Sequence, residues 1–133
     1  MGLVFMLPKL DSSNASLIEN PEEFFSLLGN LHDSHVNFLD WNPIRNELAI
    51  SVDDIYSNFF NPPEHPGLQP ARFIAVGLIN LVVDVSPGKY PAFVLSFEVS
   101  RSVNDSMLSV IVNCGDGQLK FECREIYGQA SMP

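Results

Sequence analysis

The sequence predicts an α+β fold: one N-terminal helix packed on a mostly antiparallel, twisted β-meander of five to six strands. Three observations carry this expectation. A capped, amphipathic stretch opens the chain at Asn20. Alternating apolar runs separated by short turns fill the rest. Between them lies a run, Ala71 to Val85, that is apolar on both parities.

The helix is signalled over Asn20 to Leu31. Asn20 can cap it, Pro21 suits the first helical position, and Glu23 completes a capping box. Glu22 and Glu23 oppose the positive end of the helix dipole. Phe24, Leu27, Leu28 and Leu31 recur at helical spacing as one apolar stripe, and Gly29-Asn30 marks the stop.

The strands follow. Val36 to Trp41 reads as the first and Glu47 to Tyr56 as the second, with Leu48, Ile50 and Val52 on one face. Ser57 to Pro70 holds Pro62, Pro63, Pro66 and Pro70, so it is expected to be a loop. In Ala71 to Val85, Phe73, Ala75, Ile79, Leu81, Val83 and Val85 share one parity, and Ile74, Val76, Leu78 and Val82 the other. A strand of that kind is covered on both faces, and Gly77 predicts a bulge or bend within it. After the Ser86-Pro87-Gly88 turn, Lys89 to Arg101 is expected to turn Phe93, Leu95, Phe97 and Val99 inward. Met107 to Cys114 and Gln118 to Tyr127 pair across Gly115-Asp116-Gly117, with Leu119, Phe121 and Cys123 inward. Residues 1–19 read as an arm and 128–133 as a frayed tail of one domain spanning 1–133.

Of the 133 residues 46% are hydrophobic, enough for a single core, and the formal net charge is −9. That charge argues against a nucleic-acid backbone or an anionic membrane as partner, and permits a basic protein. Met1 to Leu7 is apolar but lacks a basic flank and stops at Pro8, too short for a signal sequence. A cytoplasmic protein is expected. Cys114 and Cys123 flank one hairpin, so about 17 Å of strand separates their pairing positions, beyond the ~7 Å that a disulfide spans.

The candidate site residues are His32, Asp33, His35, Glu64 and His65. Two histidines and a carboxylate in His32-Asp33-Ser34-His35 could hold a divalent metal, with His65 or Asp53 brought in by the fold. In an extended segment, however, the spacing points His32 and His35 to opposite faces. The alternative is structural: Asp33 and Ser34 bond local backbone donors and fix the corner between helix and strand. Asp53-Asp54 reads as a solvated strand end. Pro62-Pro63-Glu64-His65-Pro66 is long enough to be a partner-binding loop. Cys123 sits on the apolar face of its strand, where a thiol is a packing group. No phosphate loop, nucleophile elbow, dinucleotide fingerprint or zinc-protease motif occurs. No catalytic residue, metal or cofactor is expected.

From His32-Asp33-Ser34-His35-Val36 onward the chain resembles small bacterial domains in which a short helix leads into a His-Asp-(Ala/Ser)-x-Val corner and a β-meander. Some are immunity-type proteins of polymorphic-toxin systems. The other matching pieces are Phe73 to Leu81 around Gly77-Leu78, Val94 to Phe97, and Gly117 to Ile126. The insertion from Asp53 to Pro70 departs from the compact members. The resemblance implies a non-catalytic protein that binds and blocks another protein, such as a basic toxin. It carries over no functional residue, because the shared positions read as fold determinants. Two other readings stand beside it. One is a small-molecule-binding or enzymatic domain, with His32, His35, His65 and Tyr56 converging on a concavity. The other is a structural homodimer, paired through an edge such as Phe93 to Val99.

Overall fold

The computed structural model describes residues 7–59, 65–85, 92–104, 106–115 and 117–132. Leu3 to Met6, Pro62 to Glu64, the Ser86-Pro87-Gly88 turn, the first residues of the expected strand from Lys89, and Asp116 of the hairpin signal lie outside them.

The expected α+β meander of five to six strands is corrected by the structure, which is nearly all β. Among the described residues nine strands accompany one short helix: β1 (Ser16–Leu17), α1 (Pro21–Leu27), a 3-10 turn at Gly29–Leu31, then β2 (His35–Asn42), β3 (Glu47–Val52), β4 (Ala71–Val76), β5 (Ile79–Val85), β6 (Ala92–Arg101), β7 (Leu108–Cys114), β8 (Gly117–Cys123) and β9 (Glu125–Ala130). The order across the sheet is β1-β9-β4-β3-β2-β6-β7-β8-β5, with antiparallel neighbours throughout.

The added strands arise where two long strands bend together. Val76 pairs with Glu125, and pairing resumes at Ile79 with Glu122. Between them the Arg124 N–H donates to the Val76 carbonyl at 2.9 Å, so the ladder continues round the corner. Gly77 makes the bend at φ +70°, and a Cβ there would run into the Arg124 side chain. Only glycine meets both demands without strain. The corner carries β4 and β9 into one layer and β5 and β8 into the other, and the two layers enclose one core.

Phe25 of α1 joins the layers. Its ring stacks on Phe97 of β6 at 4.4 Å and 14°, and meets Phe73 of β4 at 5.0 Å. A helix of seven residues is too short to be stable alone, so this packing holds it. The cap is as expected: Asn20 Oδ1 accepts from the Glu23 N–H at 3.3 Å. The buried face is not. Phe25, Leu28 and Leu31 are fully buried, whereas Leu27 is exposed and Phe24 only partly covered. The α-helix ends at Leu27, and Gly29, Asn30 and Leu31 then reverse the chain at positive φ and return Leu31 to the core with Leu28.

Other strand expectations fail for stated reasons. A register shift between Val94 and Ser96 inserts one residue into β6. The bulge buries Val94 and Phe97 and leaves Phe93 and Leu95 at 36% and 47% exposure, instead of turning all four odd positions inward. Double-sided cover over 71–85 fails in β5, where five of the seven residues are exposed and, among the described residues, only β8 pairs with the strand. The second strand stops at Val52, where the chain turns at Asp53-Asp54. The tail is strand to Ala130: the Ala130 N–H donates to Asp11 O at 2.9 Å and Ser131 N–H to Pro70 O at 2.8 Å. The arm is docked as well, since Tyr56 Oη donates to Pro8 O at 2.8 Å.

Candidate functional site

The three histidines do not converge on one centre. Each takes its own aspartate: His32 with Asp33 at 3.5 Å, His35 with Asp53 at 3.0 Å, His65 with Asp54 at 2.8 Å. Among the described residues, no three His, Cys, Asp or Glu side chains gather as metal ligands. Glu64 lies outside the described residues.

Asp53 fixes the corner expected of Asp33 and Ser34, with Ser34 as one of its donors. Its Oδ1 accepts from Ser34 Oγ at 3.0 Å and from the His35 N–H at 2.8 Å, and its Oδ2 accepts from His35 Nδ1 at 3.0 Å. Asp33 contributes through its backbone, donating to Val94 O at 3.1 Å with φ +72°. That conformation is not extended, so the expected opposite orientation of His32 and His35 fails. Both rings sit edge-on to Phe93, with centroids at 6.4 and 5.4 Å.

The Asp53 cluster holds a serine, a histidine and an aspartate, yet it is wired against nucleophilic catalysis. A triad needs the hydroxyl on the imidazole and the carboxylate behind it. Here hydroxyl and imidazole both bond the carboxylate, and Ser34 is fully buried. Since Asp53 accepts, His35 carries its proton on Nδ1.

Asp54 is buried, not a solvated strand end. Its Oδ1 accepts from the Tyr56 and Gln69 N–H groups at 3.0 and 3.1 Å, and its Oδ2 from His65 Nε2 at 2.8 Å. The Gly67 N–H donates to His65 Nδ1 at 3.1 Å, which places the ring proton on Nε2. Both ring nitrogens are therefore engaged, and His65 works as a staple that closes the end of the proline-rich loop onto Asp54.

Both cysteines are buried. Cys114 pairs with Gly117 and Cys123 with Leu108, so the two stand at opposite ends of the β7–β8 hairpin. Burial pushes the Cys123 thiol up to about 12, outweighing the pull of Arg101 in the other direction.

The feature that sequence reasoning missed is a cleft between β2 and β5. Its inner part, about 230 Å³, is lined by Val36 to Leu39, Val85, and the core residues Val112, Cys114 and Leu119. A second hollow of about 420 Å³ continues along Trp41, Asn46 and Leu78 to Leu81, with Val83. Around it Phe38, Trp41, Val82 and Val83 are 56, 57, 52 and 54% exposed. Among the described residues, β2 beyond Val36 pairs only with β3, and β5 only with β8. Among the described residues each strand therefore has one edge without a strand partner. The signal lies in the second half of the apolar run Ala71 to Val85, whose two apolar parities predict burial on both faces.

Among the described residues no helix is long and apolar enough to cross a membrane. No family model matches the chain, and no curated protein or solved structure is significantly similar to it.

Proposed function

We propose that the chain is a non-catalytic protein-binding module of immunity type, which binds and blocks a basic protein partner. The observation that carries this reading is the β2–β5 cleft, where large apolar side chains stand exposed beside two strand edges that lack a strand partner among the described residues. Contiguous exposed apolar surface of this kind marks interaction sites. The net charge of −9 favours a cationic partner through steering and complementary potential. The histidines support the same reading, because Asp53 and Asp54 hold His35 and His65 in contacts that tie down the chain, and the three histidines do not gather at one point.

The test is co-expression with the product of the gene adjacent to its own. The expected result is a stoichiometric complex and rescue of cells from that product's toxicity. A toxic neighbour that is neither bound nor neutralised removes the immunity reading.

A further inference from the structure

Resting on the protein-binding reading, we infer that the partner enters the β2–β5 cleft as an extended strand, with apolar residues alternating with lysine or arginine. Three features specify that chemistry. The first is hydrogen bonding. Both strands present edges that lack a strand partner among the described residues, and such edges recruit a further strand through its backbone. The second is alternation. Leu39 and Trp41 of β2 and Val83 and Val85 of β5 line the hollows. Asp40 and Asp84 stand between them in sequence, exposed, and strand geometry turns each to the opposite face. An added strand in register thus meets Leu39, Trp41, Val83 and Val85 on one face and, on the other, the carboxylates of Asp40 and Asp84 beside Phe38 and Val82. The third is charge. Neither β2 nor β5 contains lysine or arginine, whereas Lys120 stands on β8 opposite Val82 and Arg45 in the turn after β2. A second copy of the chain is a poor occupant, because it brings another nine negative charges to an acidic rim.

The sole tryptophan, Trp41, lines the cleft and is more than half exposed, so its emission reports occupancy directly. The probe is a capped eight-residue peptide of alternating valine and lysine, titrated against the full chain. Amide shifts locate it, and two control peptides accompany it: alternating valine and glutamate, and a valine–lysine peptide N-methylated at alternate residues. The expected result is a blue shift of Trp41 emission with amide shifts confined to 37–42 and 79–85. Affinity should fall at least tenfold for each control peptide, and about threefold for Asp40→Asn or Asp84→Asn with the original peptide. Equal affinity of the N-methylated peptide overturns strand addition. So does binding in the groove between Pro8 and Leu27, which would leave the protein-binding reading standing. A free protein that is already a dimer with Trp41 shielded assigns the cleft to a second copy and overturns the inference. Failure of all three peptides to bind a monomer also overturns it, while the co-expression result judges the immunity reading independently.

Discussion

Asp53 and His35 are bonded twice. The Asp53 carboxylate accepts the His35 backbone N–H at 2.8 Å through Oδ1 and its ring Nδ1–H at 3.0 Å through Oδ2. With Ser34 Oγ also on Oδ1, one side chain at the end of β3 holds the start of β2. Asp53→Ala leaves the fully buried Ser34 hydroxyl without that acceptor, a loss of about 2 kcal/mol. His35→Ala is expected to cost less, because Ser34 keeps its acceptor. Asp53→Asn, which retains one carbonyl oxygen, falls between wild type and Asp53→Ala. Urea midpoints of the three variants check the order. A His35 variant as damaged as Asp53→Ala would show that the ring, and not the carboxylate, holds the corner.

At the sheet corner Gly77→Ala faces two penalties. A side chain at φ +70° is strained by about 1–2 kcal/mol, and the added methyl meets the Arg124 side chain. The double variant Gly77→Ala/Arg124→Ala removes the second penalty and keeps the first. Thermal unfolding should therefore show a positive coupling between the two sites, with the double variant more stable than the sum of the single losses implies. Strict additivity would mean that Arg124 does not crowd the glycine.

Much of the local structure was legible. The Asn20–Glu23 cap, the left-handed stop at Gly29-Asn30, the inward Leu48, Ile50 and Val52, and the bend at Gly77 follow from single-residue physics. The failures have a common cause in pairing partners that no local pattern records. The bulge after Val94 flips the faces of β6 without a glycine to announce it. Arg124, an ordinary charged residue, divides β8 from β9 because Gly77 bends the strand beside it. The apolar β5 looks like a core strand, but its second edge has no strand against it among the described residues. At the site, His32-Asp33 reads locally as a motif, whereas the organising carboxylate, Asp53, lies on the far side of a hairpin.

The buried Cys123 thiol sets an alkaline limit. Its ordinary value of 9.0 applies once the chain unfolds, while the folded thiol is held up to about 12. Below pH 9 both states are protonated and stability is unaffected. Between those values the unfolded chain binds fewer protons, so stability falls as pH rises. Tyr56, pushed up chiefly by burial and then by the Asp54 charge, adds a decline of the same sign above pH 10. Urea midpoints at pH 8 and pH 10.5 should therefore drop more for wild type than for Cys123→Ala. An equal drop would place the alkaline sensitivity elsewhere.

The cleft and the histidine pairs make opposite claims on function, and one comparison separates them. Partner binding would be measured for the adjacent gene product with two variants, Phe38→Ala/Trp41→Ala in the cleft and His32→Ala/His35→Ala at the corner, each first shown to be folded by amide dispersion. Binding through the cleft predicts a loss of at least a hundredfold in affinity for the first variant and less than threefold for the second. Full affinity in the cleft variant, with loss in the histidine variant, would contradict the account.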